Sequence, residues 1–299
     1  MDIYAGTYTG AQSRGIYRVC FDGGILHDPV LYCQIGDPKY LCRHDDSIVS
    51  IFEEKDGAGV ALIEDGKIID RCVFEKKSSC FVTCRDDLIY TANYHEGTFS
   101  MLEEKGGRLE LLKTVEVQKG CGCHQILFHE DRILVPCLFL DRMLICDQDL
   151  EKIGEIVFPE GSGPRHGAFT NDGKYLYLLA ELNSHLYRID TDTWKIVSDI
   201  PLYDDDIKDA AAVKIRDGYV YCSSRTRNEI VVVSMNDDEV IQHADCHGLH
   251  PRDFMIAGDN LICANRFSNE LVSMKIEEDG TIGDVTSRVN VPEAVALIK

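Results

Sequence analysis

The segment Gly163-Pro164-Arg165-His166-Gly167-Ala168-Phe169 runs through Asn171-Asp172-Gly173 into Tyr175-Leu176-Tyr177-Leu178-Leu179-Ala180, and then into Glu181-Leu182-Asn183-Ser184. Asn-Asp-Gly has the turn chemistry that joins two antiparallel strands. The flanking runs are rich in the aliphatic and aromatic residues that strands favour. After Ser184 a third strand is predicted over His185 to Asp190. Thr191-Asp192-Thr193 turns, and Trp194 to Val197 begins a fourth strand. Four short strands in about 44 residues make one blade of a β-propeller.

Related units lie on both sides, beginning at Tyr4, Ser50, Thr91, Val135, Leu179, Cys222 and Cys263, with spacings of 46, 41, 44, 44, 43 and 41 residues. A β-rich period near forty is the mark of a propeller. Arg216-Asp217-Gly218 and Ala257-Gly258-Asp259 repeat the first hairpin. The tail from Pro292 to Lys299 resembles the first strand of a unit, whereas Asp2-Ile3-Tyr4 begins directly at a second strand. The tail is therefore expected to pair beside the N-terminus, which closes the ring and covers both edges. The expected fold is all-β: a single seven-bladed domain over residues 1–299, with four antiparallel strands per blade.

Composition narrows the function. No apolar run approaches the roughly 20 residues needed to cross a bilayer, and Met1-Asp2-Ile3-Tyr4 does not open like a signal peptide. Thirteen cysteines, an odd number placed mainly at apolar strand positions, favour a reducing cytoplasm. Cys121-Gly122-Cys123-His124 lacks the second ligand pair of a zinc motif, so no metal is expected. Asp204-Asp205-Asp206 lacks the spaced ligands of a Ca²⁺ loop. A net charge of −20 argues against nucleic acid, which needs a basic stripe. It leaves room for a small anion, because exposed charges are screened beyond about 8 Å and a local arginine cluster then dominates. The expected partner is a small anionic molecule, with no membrane, no cofactor, and a monomeric or weakly dimeric chain.

In an antiparallel hairpin the start of one strand and the end of the next share a rim. Propeller spacing therefore gathers Lys39, His124, Arg165 and Arg252 around one channel mouth. Thr7, Asn93, Glu181, Asn183, Arg225, Asn265 and Arg266 join them there. His124 is the residue suited to proton transfer near neutral pH. Arg165 fits an oxyanion or carboxylate, with Glu181 as its partner or as a base. Arg225 and Arg252 offer guanidinium forks for an anionic group. Asn93, Asn183 and Asn265 are candidates for substrate hydroxyls, although Asn after a strand also serves turns. Strand alternation points His166 away from the channel if Arg165 faces it.

At these residues the chain resembles the seven-bladed propeller lactonases, bacterial 6-phosphogluconolactonases of the propeller type. The resemblance rests on Gly6-Thr7-Tyr8-Thr9, Ala92-Asn93-Tyr94 with Gly97-Thr98, Gly122-Cys123-His124, Val135-Pro136 and Asp141-Arg142. It continues through Gly161-Ser162-Gly163-Pro164-Arg165-His166, Glu181-Leu182-Asn183-Ser184, Ser224-Arg225-Thr226, Pro251-Arg252-Asp253-Phe254 and Ala264-Asn265. Cys137-Leu138-Phe139 stands where the family often has Asp-Leu-Gly, and Arg266 where Gln is common. The resemblance implies lactone ring opening on a sugar lactone such as 6-phosphoglucono-1,5-lactone. Through a related muconate cycloisomerase it also implies His124, Arg165 and Glu181 as the catalytic set. Another lactone hydrolase, a muconate-type cycloisomerase and a non-enzymatic binding propeller remain alternatives. No G-x-S-x-G, P-loop or dinucleotide fingerprint occurs, and a single Trp with no Gly-His…Trp-Asp pattern disfavours a WD40 scaffold.

Overall fold

The computed structural model describes residues 1–10 and 12–299. Seven antiparallel sheets follow one another along the chain. The fifth blade comprises Pro164–Phe169, Tyr175–Ala180, His185–Asp190 and Lys195–Pro201, paired in that order. Its outer strand, expected to begin over Trp194 to Val197, runs from Lys195 to Pro201. The fold is the seven-bladed propeller expected from the repeat.

The tail strand Ala294–Ile298 pairs with Asp2–Thr7, Tyr4 opposite Ile298 and Ala5 opposite Leu297. The first blade is therefore built from both ends of the chain, as the missing strand at the N-terminus required.

Burial follows position in the blade. Second strands such as Leu88–Asn93 and Asn260–Asn265 are buried on both faces after their first residue. They read as continuous apolar runs because a neighbouring blade covers each side. Outer strands such as Lys67–Glu75 and Ile282–Asn290 alternate between covered and exposed positions, the period of two expected where only one face is covered. The apolar residues gather into seven clusters, each between two adjacent blades. One joins Ile3 and Val19 of the first blade to Ile262 and Leu271 of the seventh. Another joins Tyr177 and Leu179 of the fifth to Val220 and Val231 of the sixth. The core is thus a ring of interfaces between blades.

Innermost strands carry a recurrent irregularity. In the fifth blade Pro164 opposes Ala180 and His166 opposes Leu179, so Arg165 is an extra residue. In the seventh, Pro251 opposes Asn265 and Asp253 opposes Ala264, making Arg252 the extra one. Val295 has the same place between Ala294 and Ala296. These are β-bulges, which re-aim side chains where two residues face one.

Candidate active site

The bulges lie at one channel mouth, around a cavity of about 240 Å³. Its walls include His124, Arg165, His166, Glu181, Arg225, Arg252 and Asp253. Lys39, Tyr8, Tyr40, Cys80 and Tyr94 complete much of the rest. Four cations (Lys39, Arg165, Arg225, Arg252) face two carboxylates (Glu181, Asp253). The cavity is therefore locally cationic within a chain of net charge −20.

Arg165 is 2% exposed, the largest side chain buried to that degree. Its Nε donates to Glu181 Oε2 at 2.7 Å, and its Nη1 donates to the carbonyl of Ala211 in the next blade. Arg225 Nη2 approaches the other carboxylate oxygen of Glu181 at 2.9 Å, while its Nε donates to Asp209 O at 3.0 Å. Glu181 is clamped between two guanidinium groups. Burial pushes its carboxyl up, but Arg165 and Arg225 outweigh that and hold it below the ordinary carboxylate range. Burial likewise lowers the Arg165 guanidinium to about 10, which leaves it charged at neutral pH.

A loop clamp places Arg165. Asp141 accepts backbone N–H bonds from Gly163 and Gly161, each at 2.8 Å, through its two carboxylate oxygens. Gly163 has φ +67°, and a Cβ there would meet the Leu182 side chain at 2.5 Å. Only glycine takes that conformation at little cost, so the Gly-Pro-Arg stretch sets the approach of the bulge.

His166 overturns its expected direction. Because Arg165 is the bulged residue, simple alternation fails and both side chains reach the cavity. His166 Nε2 lies 3.2 Å from His124 Nδ1. One residue further along each segment, Gln125 Oε1 accepts the Gly167 N–H at 2.7 Å, which ties the two blades together. Both imidazoles are buried. Burial, then the Arg165 charge, drives both rings well below the ordinary histidine range, so each is neutral at pH 7. One ring must donate and the other accept. The two tautomers leave the free lone pair on Nε2 of His124 or on Nδ1 of His166.

The cavity does not include the three asparagines expected to bind hydroxyls. Asn93 donates to Lys77 O at 2.7 Å and accepts from the N–H groups of His95 and Glu96. Asn183 donates to Tyr187 Oη and accepts from His185 N–H. Asn265 donates to Cys246 O and accepts from the Cys263 thiol. Their amides are engaged in turn and strand-end bonding outside the cavity lining. Thr7 is likewise held by Gly15 O at 2.7 Å.

Arg266 pairs with Glu293 at 2.7 Å and lies 4.0 Å from the centre of the Tyr8 ring. Phe139 is exposed beside Tyr94 at the rim. Cys137 points away into a buried cluster.

Tyr8, Tyr40, Tyr94, Cys80 and Asp253 also line the cavity, although none was anticipated. Tyr8 and Tyr94 follow immediately after the second-strand ends Thr7 and Asn93. Tyr40 and Cys80 immediately precede the inner strands of the second and third blades. A rim window one residue wider would have found all four. Asp253 is the residue after a bulge, equivalent to His166. Burial pushes the Cys80 thiol up to about 11, so it is protonated at neutral pH.

The sequence pattern of the lactonase family, described as a seven-bladed β-propeller, matches residues 2–298. The chain belongs to this family. It is 26% identical to a 6-phosphogluconolactonase of Bacillus subtilis, over 98% of this chain and 97% of that one. A crystal structure of a protein from Lactobacillus plantarum superposes with a TM-score of 0.90 at 25% identity, covering 99% and 98% of the two chains. A periplasmic gluconolactonase of Pseudomonas aeruginosa shares the fold, with a TM-score of 0.88 at 18% identity and coverage of 99% and 98%.

Proposed function

We propose that the protein hydrolyses an anionic sugar lactone, with 6-phosphoglucono-1,5-lactone as the first substrate to test, in the cavity around His124, Arg165 and Glu181. The observation that carries this reading is the hydrogen-bonded, uncharged pair His124–His166 beside a cluster of four cations. Membership of the lactonase family supplies the reaction class. The Bacillus subtilis relative supplies the choice of sugar.

Hydrolysis needs a base for the attacking water, a donor for the oxyanion, and a proton for the departing ring oxygen. A neutral imidazole whose partner ring can share the proton suits the first and third tasks, and such help is worth about 10²–10⁴-fold. Arg165, fixed by Glu181 and Ala211, supplies a preorganised positive donor worth about 10²–10³-fold. Arg225, Arg252 and Lys39 offer charge for the substrate's anionic group. Glu181 is assigned to positioning: a carboxylate held ionised between two arginines is a weak base. A reducing compartment, the cytoplasm, belongs to the same proposal, on the odd cysteine count and the apolar strand positions those residues occupy.

Fresh 6-phosphoglucono-1,5-lactone should disappear faster with the protein than spontaneously, and His124→Ala and Arg165→Ala should remove most of that acceleration. No acceleration by the wild type would exclude this substrate. Phe139 beside Tyr94 favours testing a second reading, a less polar lactone or a muconate-type cycloisomerisation. A panel of aldonolactones and muconolactones separates the two, and preference for the phosphorylated sugar eliminates the second.

A further inference from the structure

Beneath the cavity wall, Cys121, Cys123 and Cys137 turn their sulfurs toward one another. Cys121 and Cys123 are 3.5 Å apart, Cys123 and Cys137 are 3.8 Å apart, and all three sulfurs lie within 4.8 Å of one another. All three residues are buried. Two local features bring them together. Gly122, at φ +76°, bends the chain between the first two. Cys137 sits directly across from Cys123 in an antiparallel bridge, and the flanking bonds are His124 N–H to Pro136 O and Leu138 N–H to Gly122 O. That makes Cys123–Cys137 the non-hydrogen-bonded kind of pair, in which side chains approach most closely.

We propose that these three cysteines form a binding site for one thiophilic d¹⁰ metal ion, Zn²⁺ or Cu⁺, separate from the lactone cavity. Thiolates bind zinc at about 2.3 Å, which puts two tetrahedral sulfur ligands about 3.8 Å apart; the Cys121–Cys123 and Cys123–Cys137 separations are close to this, and the third lies within 4.8 Å. Soft sulfur donors select these ions over magnesium or calcium. No fourth His, Cys, Asp or Glu joins the cluster among the described residues. The protein therefore supplies a three-sulfur set, complete for trigonal Cu⁺ and open at one position for Zn²⁺. Sequence spacing could not show this, because Cys137 lies 14 residues from Cys123 and joins through strand pairing. A bound ion would tie the segment carrying His124 to the strand Arg132–Cys137 and leave the imidazole free on the channel side.

The test is anaerobic titration of the fully reduced chain with Zn²⁺ alone and, separately, with Cu⁺ alone. At least one of them should bind at one equivalent per chain. X-ray absorption at the bound metal should show three sulfur neighbours at about 2.3 Å. Cys137→Ala should weaken binding at least 100-fold, whereas Cys42→Ser, in the separate Cys42–Cys84 contact at 3.2 Å, should leave it unchanged. Absence of stoichiometric binding of both ions to the wild type, or a metal shell of nitrogen and oxygen, would show that the thiols only pack. Loss of binding in Cys42→Ser would overturn the assignment to this triad. The absorption measurement on the wild type decides the matter even if the Cys137 variant does not fold.

Discussion

Replacing Glu181 with Gln removes one charge and keeps the shape. In the native site the two carboxylate oxygens serve separate cations, Arg165 at 2.7 Å and Arg225 at 2.9 Å. The glutamine carbonyl can serve one of them, but its NH₂ then faces the other, donor against donor. One charge-assisted bond is lost outright, worth about 1.5–3 kcal/mol. Breaking a fully buried ion pair costs about 3–5 kcal/mol, and Glu181 keeps 14% side-chain exposure, so about 2–3 kcal/mol of stability is the expected loss. If Arg165 shifts as a result, the lactonase rate should fall about 100-fold, equivalent to about 2.7 kcal/mol of transition-state stabilisation.

The decisive measurement is the pH–rate profile. Base catalysis by neutral His124 or His166 is complete above the folded pKa and lost as pH falls through it. Both rings are pushed well below 6.5, so activity should hold through neutral pH and decline only in acid. Glu181→Gln should lower the whole curve and leave that acid limb in place. A variant whose rate no longer depends on acid pH would make Glu181 the base and refute its assignment to positioning.

Three other perturbations test separate parts of the structure. The unfolded chain protonates His124 and His166 below about pH 6.5 while the folded chain resists, so each should subtract up to about 1.4 kcal/mol of stability per pH unit below that point; urea titrations at pH 7, 6 and 5 should show the fall, and a flat dependence would contradict two buried neutral rings. Arg225→Lys and Arg252→Lys keep the charge and lose the fork, so KM for the phosphorylated lactone should rise about tenfold with a smaller change in kcat, read from initial rates against an uncharged lactone as control. Gly163→Ala combines φ +67° with the 2.5 Å approach to Leu182; it should cost about 1–3 kcal/mol, measured by denaturation, and should reduce activity by moving Arg165.

The architecture was legible because a period near forty and an N-terminal blade that begins at its second strand leave few alternatives to a ring closed by the tail. The cationic mouth was legible for the same reason, since hairpin geometry assigns Arg165, Glu181, Arg225, Arg252 and His124 to one rim. The direction of His166 was not. A single extra residue at Arg165 cancels strand alternation, and no local motif distinguishes Gly-Pro-Arg-His with a bulge from the same four residues without one. The placement of the asparagines was not legible for a different reason: an Asn after a strand reads the same whether its amide caps a turn or faces a cavity, and only the partners of Asn93, Asn183 and Asn265 put them outside the lining. The sulfur triad needed pairing between distant strands, which sequence spacing does not encode.

Closing the ring with the tail imposes an order on synthesis. The strand Asp2–Thr7 is buried in the finished protein apart from its first residue, yet its partner Ala294–Ile298 lies almost the whole propeller later in the chain. A ribosome adding about 5–20 residues per second reaches that partner roughly 15–60 s later. Throughout that interval the nascent chain carries an apolar strand with an unpaired edge, the surface most prone to mispairing between neighbouring chains. The same contact that seals the mature molecule thus makes its birth the vulnerable stage. Crowded polysomes should be where this protein aggregates first.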